Sequence, residues 1–197
     1  MKARTVTRTL VLVALMLNLG VAAVYAQEKH VKMTFSGTLE VSTINLQPDT
    51  NTDSENVAGD GTLGPFTFRE LHADPASPQP SSTCSPGNAP PRLYFPNVAG
   101  GGIFRFQDGS LLTVGVTAGS SICIDLSAGM AHLTQTYQIT GGTGRFKGAS
   151  GALTLTATLI PVVFNASNGV ELATITGEFA GTVSGVAIGE EGRDERH

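Results

Sequence analysis

Apolar and polar side chains alternate one for one along much of this chain. From Ala152 to Ile160, Leu153, Leu155, Ala157 and Leu159 hold one parity, while Thr154, Thr156 and Thr158 hold the other. From Leu172 to Val183, Ile175, Phe179 and Val183 alternate with Thr174, Thr176, Glu178 and Thr182. Val31, Met33, Phe35, Leu39 and Val41 share a parity broken only at Gly37, and Phe66 and Phe68 alternate with Thr67 and Arg69. Between Met130 and Thr140, Ala131, Leu133, Tyr137 and Ile139 oppose Met130, His132, Thr134, Thr136 and Gln138. A period of two sends successive side chains to opposite faces of a strand, and no window shows the spacing of an amphipathic helix. Ile103–Phe106 and Leu111–Val116 are two further runs, joined through an Asp108-Gly109 pair that favours a hairpin, and Ser121–Leu126 adds a short one. The pattern predicts an all-β chain of about eight strands, as a closed barrel or, alternatively, a β-sandwich. β-Branched threonines suit a hydrated pleat, so the leucine parity faces the core.

The remaining segments have other characters. Gln47–Gly61 is polar and acidic and reads as a loop, and Asp74–Pro91 carries six prolines, which bars it from a central strand. Residues 1–26 read as a secretory signal peptide: basic Lys2, Arg4 and Arg8, an apolar run from Leu10 to Ala23, and small residues before a cleavage after Ala26. That run is shorter than the ~20 residues a membrane-spanning helix needs, so no stable span is expected after cleavage. Residues 27–189 then form a single β-barrel domain, and residues 190–197 form a charged, flexible tail. The localisation expected is secreted or periplasmic.

Cleavage leaves 9 basic against 16 acidic side chains, a net charge of −7. Such a chain has no electrostatic footprint for phosphate backbones or anionic membranes, which argues against nucleic acid as a partner. Cys84 and Cys123 are the two cysteines; in an exported chain they are expected to form one disulfide closing a loop of about 40 residues, worth roughly 4 kcal/mol.

Candidate chemistry is sparse. No Gly-x-Ser-x-Gly elbow surrounds Ser150. His132 falls among the outward threonines; His30, His72 and His197 lie at the mature start, a loop edge and the end of the chain. Glu178 and Glu40 share outward parities. Glu70 follows Phe66 and Phe68, so an inward parity would bury it, with Arg69 or Arg105 as partner; a strand end exposed to water is the simpler reading. Glu70, Arg105 and His132 are the candidate ligand contacts. Asp49, Asn51, Asp53, Glu55 and Asp60 fall on positions 1, 3, 5, 7 and 12 of a calcium-loop template. Ser54 replaces the required glycine and the flanks are not helical, so a solvated acidic loop is expected, with no metal and no cofactor. Asn165-Ala166-Ser167 is a glycosylation sequon.

The most distinctive segment is Gly141-Gly142-Thr143-Gly144-Arg145-Phe146-Lys147-Gly148-Ala149-Ser150-Gly151. Its glycine spacing fits neither a Rossmann fingerprint nor a phosphate loop, and a strand pattern follows where both motifs need a helix. It reads as a structural turn of Gly141, Gly142, Gly144, Gly148 and Gly151, with Phe146 as a plug for the core. Running into alternating leucine and threonine, the string resembles the allene oxide cyclase/dirigent β-barrel superfamily, in particular its secreted bacterial members. Gly61–Thr67, Phe106–Leu111 and Gly181–Gly185 agree with it, over roughly Thr34–Gly185. The resemblance implies an eight-stranded antiparallel barrel with a mainly apolar interior, often oligomeric. In plant members such a barrel steers a reactive lipid or phenoxy species by shape, but the polar pocket residues of those members have no matching positions here, so catalytic residues stay unassigned. The expectation is a non-enzymatic barrel that binds a small apolar ligand or a protein partner. The alternatives are a shape-directed cyclase, isomerase or coupling protein, and a structural or surface-interaction protein.

Overall fold

The computed structural model describes residues 28–80, 84, 92–166 and 169–187. The segment expected to be a signal peptide and its expected cleavage point, the centre of the proline-rich loop, Ser167 of the sequon and the tail 190–197 lie outside the described residues. Ten strands run in order: β1 (Lys29–Val41), β2 (Thr50–Gly61), β3 (Phe66–Pro75), β4 (Leu93–Pro96), β5 (Ala99–Phe106), β6 (Leu111–Val116), β7 (Ser121–Asp125), β8 (Met130–Gly142), β9 (Ser150–Phe164) and β10 (Val170–Ser184). All pairings are antiparallel, and β8 with β9 closes the sheet on itself. The closed ring has eight members: β1, β2, β3, β5, β6, β8, β9 and β10. The two short strands lengthen its wall, because β7 pairs with Met130–Thr134 of β8 just beyond the stretch that β6 occupies, and β4 pairs with β7. Closure leaves no sheet edge along the ring, which answers the main liability of an antiparallel sheet. Among the described residues no helix is long and apolar enough to cross a membrane.

The parity read from the sequence sets the two faces. Leu153, Leu155 and Leu159 are buried, with Ile175, Phe179 and Val183 beside them, while Thr156, Thr174 and Thr176 are exposed. One part of the bore is filled by aromatic rings. Phe68 and Phe104 lie 4.3 Å apart between centroids, and Phe179 meets Phe35 and Phe104 at 4.8 Å and Phe68 at 5.1 Å. These rings are all but completely shielded from solvent, so this part of the lumen is packed by the chain's own side chains.

The glycine-rich segment connects β8 to β9. Gly141 and Gly142 end β8, a short 3-10 turn covers Gly144–Phe146, and Gly151 already belongs to β9. Gly144 has φ 58°, and a Cβ there would stand 2.4 Å from the Ser110 hydroxyl, so the position requires glycine twice over. Phe146 enters the core and packs on Phe106 at 4.7 Å, and the Arg145 guanidinium covers both rings at 4.8 and 4.9 Å. Arg145 also donates to the Leu63 carbonyl and pairs with Asp108 at 3.2 Å. The turn thus closes this end of the barrel.

The expectation of a loop over Gln47–Gly61 fails. The acidic stretch taken for a loop is strand β2, paired with β1 and β3 over most of its length. Extended backbone spreads four of the calcium-template residues along a strand and over both faces, with Asp49 in the turn before it: Asp53 and Glu55 point into the barrel, and Asp49, Asn51 and Asp60 are exposed. They cannot converge on one ion. The strand was hidden because its inward positions are carboxylates, with only Val57 as an apolar marker.

Cys84 and Cys123 are joined, which ties the segment after β3 to β7. Replacing both cysteines by serine should lower stability by roughly 2–4 kcal/mol in urea unfolding, as for a constraint acting on the unfolded chain. Phe179→Ala, at the centre of the ring cluster, should cost about 3–5 kcal/mol. A loss below about 1 kcal/mol would mean the rings do not pack as described.

Candidate functional site

Strand β3 carries one inward ladder: Phe66, Phe68, Glu70, His72 and Asp74. Its first two members belong to the aromatic core. Because side chains alternate strictly, burying Phe66 and Phe68 takes the next three inward positions into the barrel as well. Across the β2–β3 ladder, Val57 faces Phe68, Glu55 faces Glu70 and Asp53 faces His72. A polar layer therefore sits directly on the aromatic one. Glu55, Glu70 and His72 are fully or almost fully buried, and the Asp53 and Asp74 side chains keep 18% and 8% exposure, so the layer reaches solvent on their side.

Opposite, β8 contributes Gln135 and Tyr137 from the same inward parity as Leu133 and Ile139. Gln135 Nε2 donates to Glu70 Oε1 at 3.0 Å, Tyr137 donates to Glu70 Oε2, and the Tyr137 hydroxyl also lies 2.6 Å from Gln135 Oε1. Asn97, just before β5, donates from Nδ2 to Asp74 Oδ1 at 2.6 Å. Room for the layer comes from β5, whose inward positions here are glycines. A Cβ on Gly102 would stand 2.4 Å from the Phe68 ring, and one on Gly100 would stand 2.9 Å from the His72 Cβ.

His72 Nδ1 lies 3.5 Å from Glu70 Oε1, and His72 Nε2 lies 3.9 Å from both Asp53 Oδ2 and Asp74 Oδ2. Neither ring nitrogen meets a partner in hydrogen-bonding geometry, and neither do the two carboxylate oxygens of Glu55. Buried polar groups are almost always hydrogen-bonded, so two side chains without hydrogen bonds in one layer mark a place built for something besides packing. Burial pushes the His72 imidazole down, but Glu70, Asp74 and Asp53 more than reverse this and raise its pKa to about 9. Burial raises the pKa of Asp74 to about 6 against the opposing pull of His72. It also raises Asp53, against the same pull. Glu55 is pushed well up, first by burial and then by the Glu70 charge facing it. Tyr137 is likewise held well above the ordinary phenol range by burial and by the charges of Glu70 and Glu55.

Of the residues singled out in the sequence, Asp53, Glu55, Glu70 and His72 enter this layer; Glu70 is buried rather than at a water-exposed strand end, and its partners are Gln135 and Tyr137. Arg69 and Arg105 are exposed, because their parity is the outward one. Arg69 lines a groove of about 960 Å³ on the outer wall with Glu40, Ser54, Asn56, Leu71 and Ile103. His132 is exposed on the threonine face, beside Thr134, Thr156 and Thr158. Sequence reasoning missed His72, Asp74, Asp53, Glu55, Gln135 and Tyr137 as a group. The available signal was parity: continuing Phe66–Phe68 through His72 and Asp74, and noting Gln135 between Leu133 and Tyr137.

The raised pKa values fix a sign. A carboxyl whose folded value is raised favours folding while protonated, so its contribution is present below the ordinary carboxylate range and lost as pH rises through the folded value. His72 acts in the same sense, losing its contribution as pH rises through about 9. Glu55→Gln removes one buried carboxylate without changing its shape. It should raise stability at pH 8 by about 1–3 kcal/mol in urea unfolding, with the gain shrinking toward pH 4.5. A pH-independent loss would contradict this placement of Glu55.

No family model matches the chain, and no curated protein matches it. Among solved structures, the chain is similar in path to the pterocarpan synthase dirigent protein PsPTS1. That similarity has a TM-score of 0.41 and 11% identity, over 83% of this chain and 99% of that one. It is also similar to the pterocarpan synthase dirigent protein GePTS1, with a TM-score of 0.38 and 11% identity, over 79% of this chain and 88% of that one.

Proposed function

We propose that this chain is a small-ligand-binding barrel that takes its ligand at the acidic–imidazole layer, from the side of Asp53 and Asp74. The observation that carries this reading is that two fully buried side chains of one layer, Glu55 and His72, make no hydrogen bond. The expected apolar ligand is revised: the rings of Phe68, Phe104 and Phe179 occupy the apolar bore, and the unfilled bonding capacity is polar. Four carboxylates against one imidazole favour a ligand that presents positive charge or hydrogen-bond donors. Export through the amino-terminal segment belongs to the same proposal, and the Cys84–Cys123 bridge supports work in an oxidising compartment.

A second reading is proton-transfer catalysis of the cyclase or isomerase kind. It is favoured by the contact of Tyr137 with Glu70, beside a histidine, because a phenol, a carboxyl and an imidazole in one layer can pass a proton between them. It requires that a substrate reach these groups, whereas binding requires only the layer's rim.

A fragment screen by NMR on uniformly labelled chain, read at the histidine rings and at the backbone amides, separates binding at the layer from binding elsewhere. Amines, amidines and polyols should shift the His72 ring signals and raise the melting temperature in step with occupancy. Hits that move only signals from the outer groove, around Arg69 and Ile103, would overturn the proposal.

A further inference from the structure

We infer that Asp53, His72 and Asp74 form a binding site for one divalent first-row transition ion. This deepens the reading of the polar layer as the ligand site and rests on it. One donor atom from each residue can be chosen so that all three lie within 4.8 Å of one another. The His72 Nε2 distances to Asp53 Oδ2 and Asp74 Oδ2, both 3.9 Å, are too long for hydrogen bonds. A tetrahedral ion with bonds of roughly 2.0–2.2 Å holds its donors about 3.3–3.6 Å apart. The two 3.9 Å spacings therefore close by a few tenths of an ångström, and the widest by about 1 Å through side-chain rotation.

The surroundings have the arrangement that orients metal ligands. Glu70 stands 3.5 Å from the far nitrogen of His72, where it holds the proton on Nδ1, so the proton released when an ion binds is the one on Nε2, which faces Asp53 and Asp74. Asn97 holds Oδ1 of Asp74 and leaves Oδ2 facing His72. Glu70 is itself fixed by Gln135 and Tyr137. A dication would also offset the surplus of buried negative charge in the layer. The mixed imidazole–carboxylate set selects the ion class: imidazole suits zinc, iron or nickel, while magnesium and calcium take all-oxygen shells. The partial exposure of Asp53 and Asp74 gives the ion a route in from solvent.

The test uses the full exported chain without an added histidine tag, stripped with EDTA and titrated with Zn²⁺ by calorimetry and with Co²⁺ by visible absorption. Binding should be one ion per chain, with Ca²⁺ and Mg²⁺ producing no comparable signal. Asn97→Ala leaves all three ligands in place and should weaken Zn²⁺ 10- to 100-fold through its loss of hold on Asp74. Asp53→Asn, at the partly exposed rim, should weaken it at least as much, with folding checked by circular dichroism. No one-to-one binding to the folded chain would overturn the inference, as would binding that Asp53→Asn and Asn97→Ala leave unchanged, which would point to His30, His132 or His197. Failure of metal binding while amines still shift the His72 ring removes the metal site alone; failure of both removes the ligand-site reading as well.

Discussion

The register of β3 is the constraint on which the rest of the molecule depends. Phe66 and Phe68 each gain roughly 1.5–3 kcal/mol by leaving water. A period of two allows no exception, so their burial carries Glu70, His72 and Asp74 inside with them. The same logic on β2 brings Asp53 and Glu55 to face them, and on β8 it sets Gln135 and Tyr137 opposite. Ionised side chains in an interior cost several kcal/mol each unless paired. The hydrogen bonds from Gln135, Tyr137 and Asn97 offset part of that cost, the neighbouring carboxylates offset the charge of His72, and Glu55 is left without a hydrogen bond.

The barrel therefore divides along its bore. The aromatic part is filled, ring on ring, and sealed by the Arg145–Phe146 turn, so it supplies rigidity. The polar part draws on that rigidity to hold five titratable side chains, Asp53, Glu55, Glu70, His72 and Asp74, in fixed relation. The division also explains the glycines of β5. Larger residues at positions 100 and 102 would invade the space of His72 and Phe68, so the wall is kept thin where the layer is most crowded. Stability given up in one layer and recovered in the next is the usual signature of a site embedded in a scaffold.

Much of the fold was legible in the sequence, and the reason is physical. Strands with one apolar face announce themselves by alternation, and Leu153–Leu159 and Ile175–Val183 fall on the faces that their parity predicted. The disulfide was legible from two cysteines in a chain read as exported. β2 was not, because its core-facing residues are Asp53 and Glu55, which read as solvated until their partners across the barrel are known. Glu70 was legible as a residue out of place but not as one of a group, since Gln135 and Tyr137 lie more than sixty residues away. Periodicity reports which face a residue takes; it carries no information on what stands across a closed lumen.

A crystal structure of the chain, purified without chelator, tests the central claim most directly. The account predicts Glu55 and His72 on the lumen side of the barrel, with density for a bound ion or small molecule in contact with the layer. Glu55 and His72 facing bulk solvent, or paired with one another in a dry and empty lumen, would contradict it.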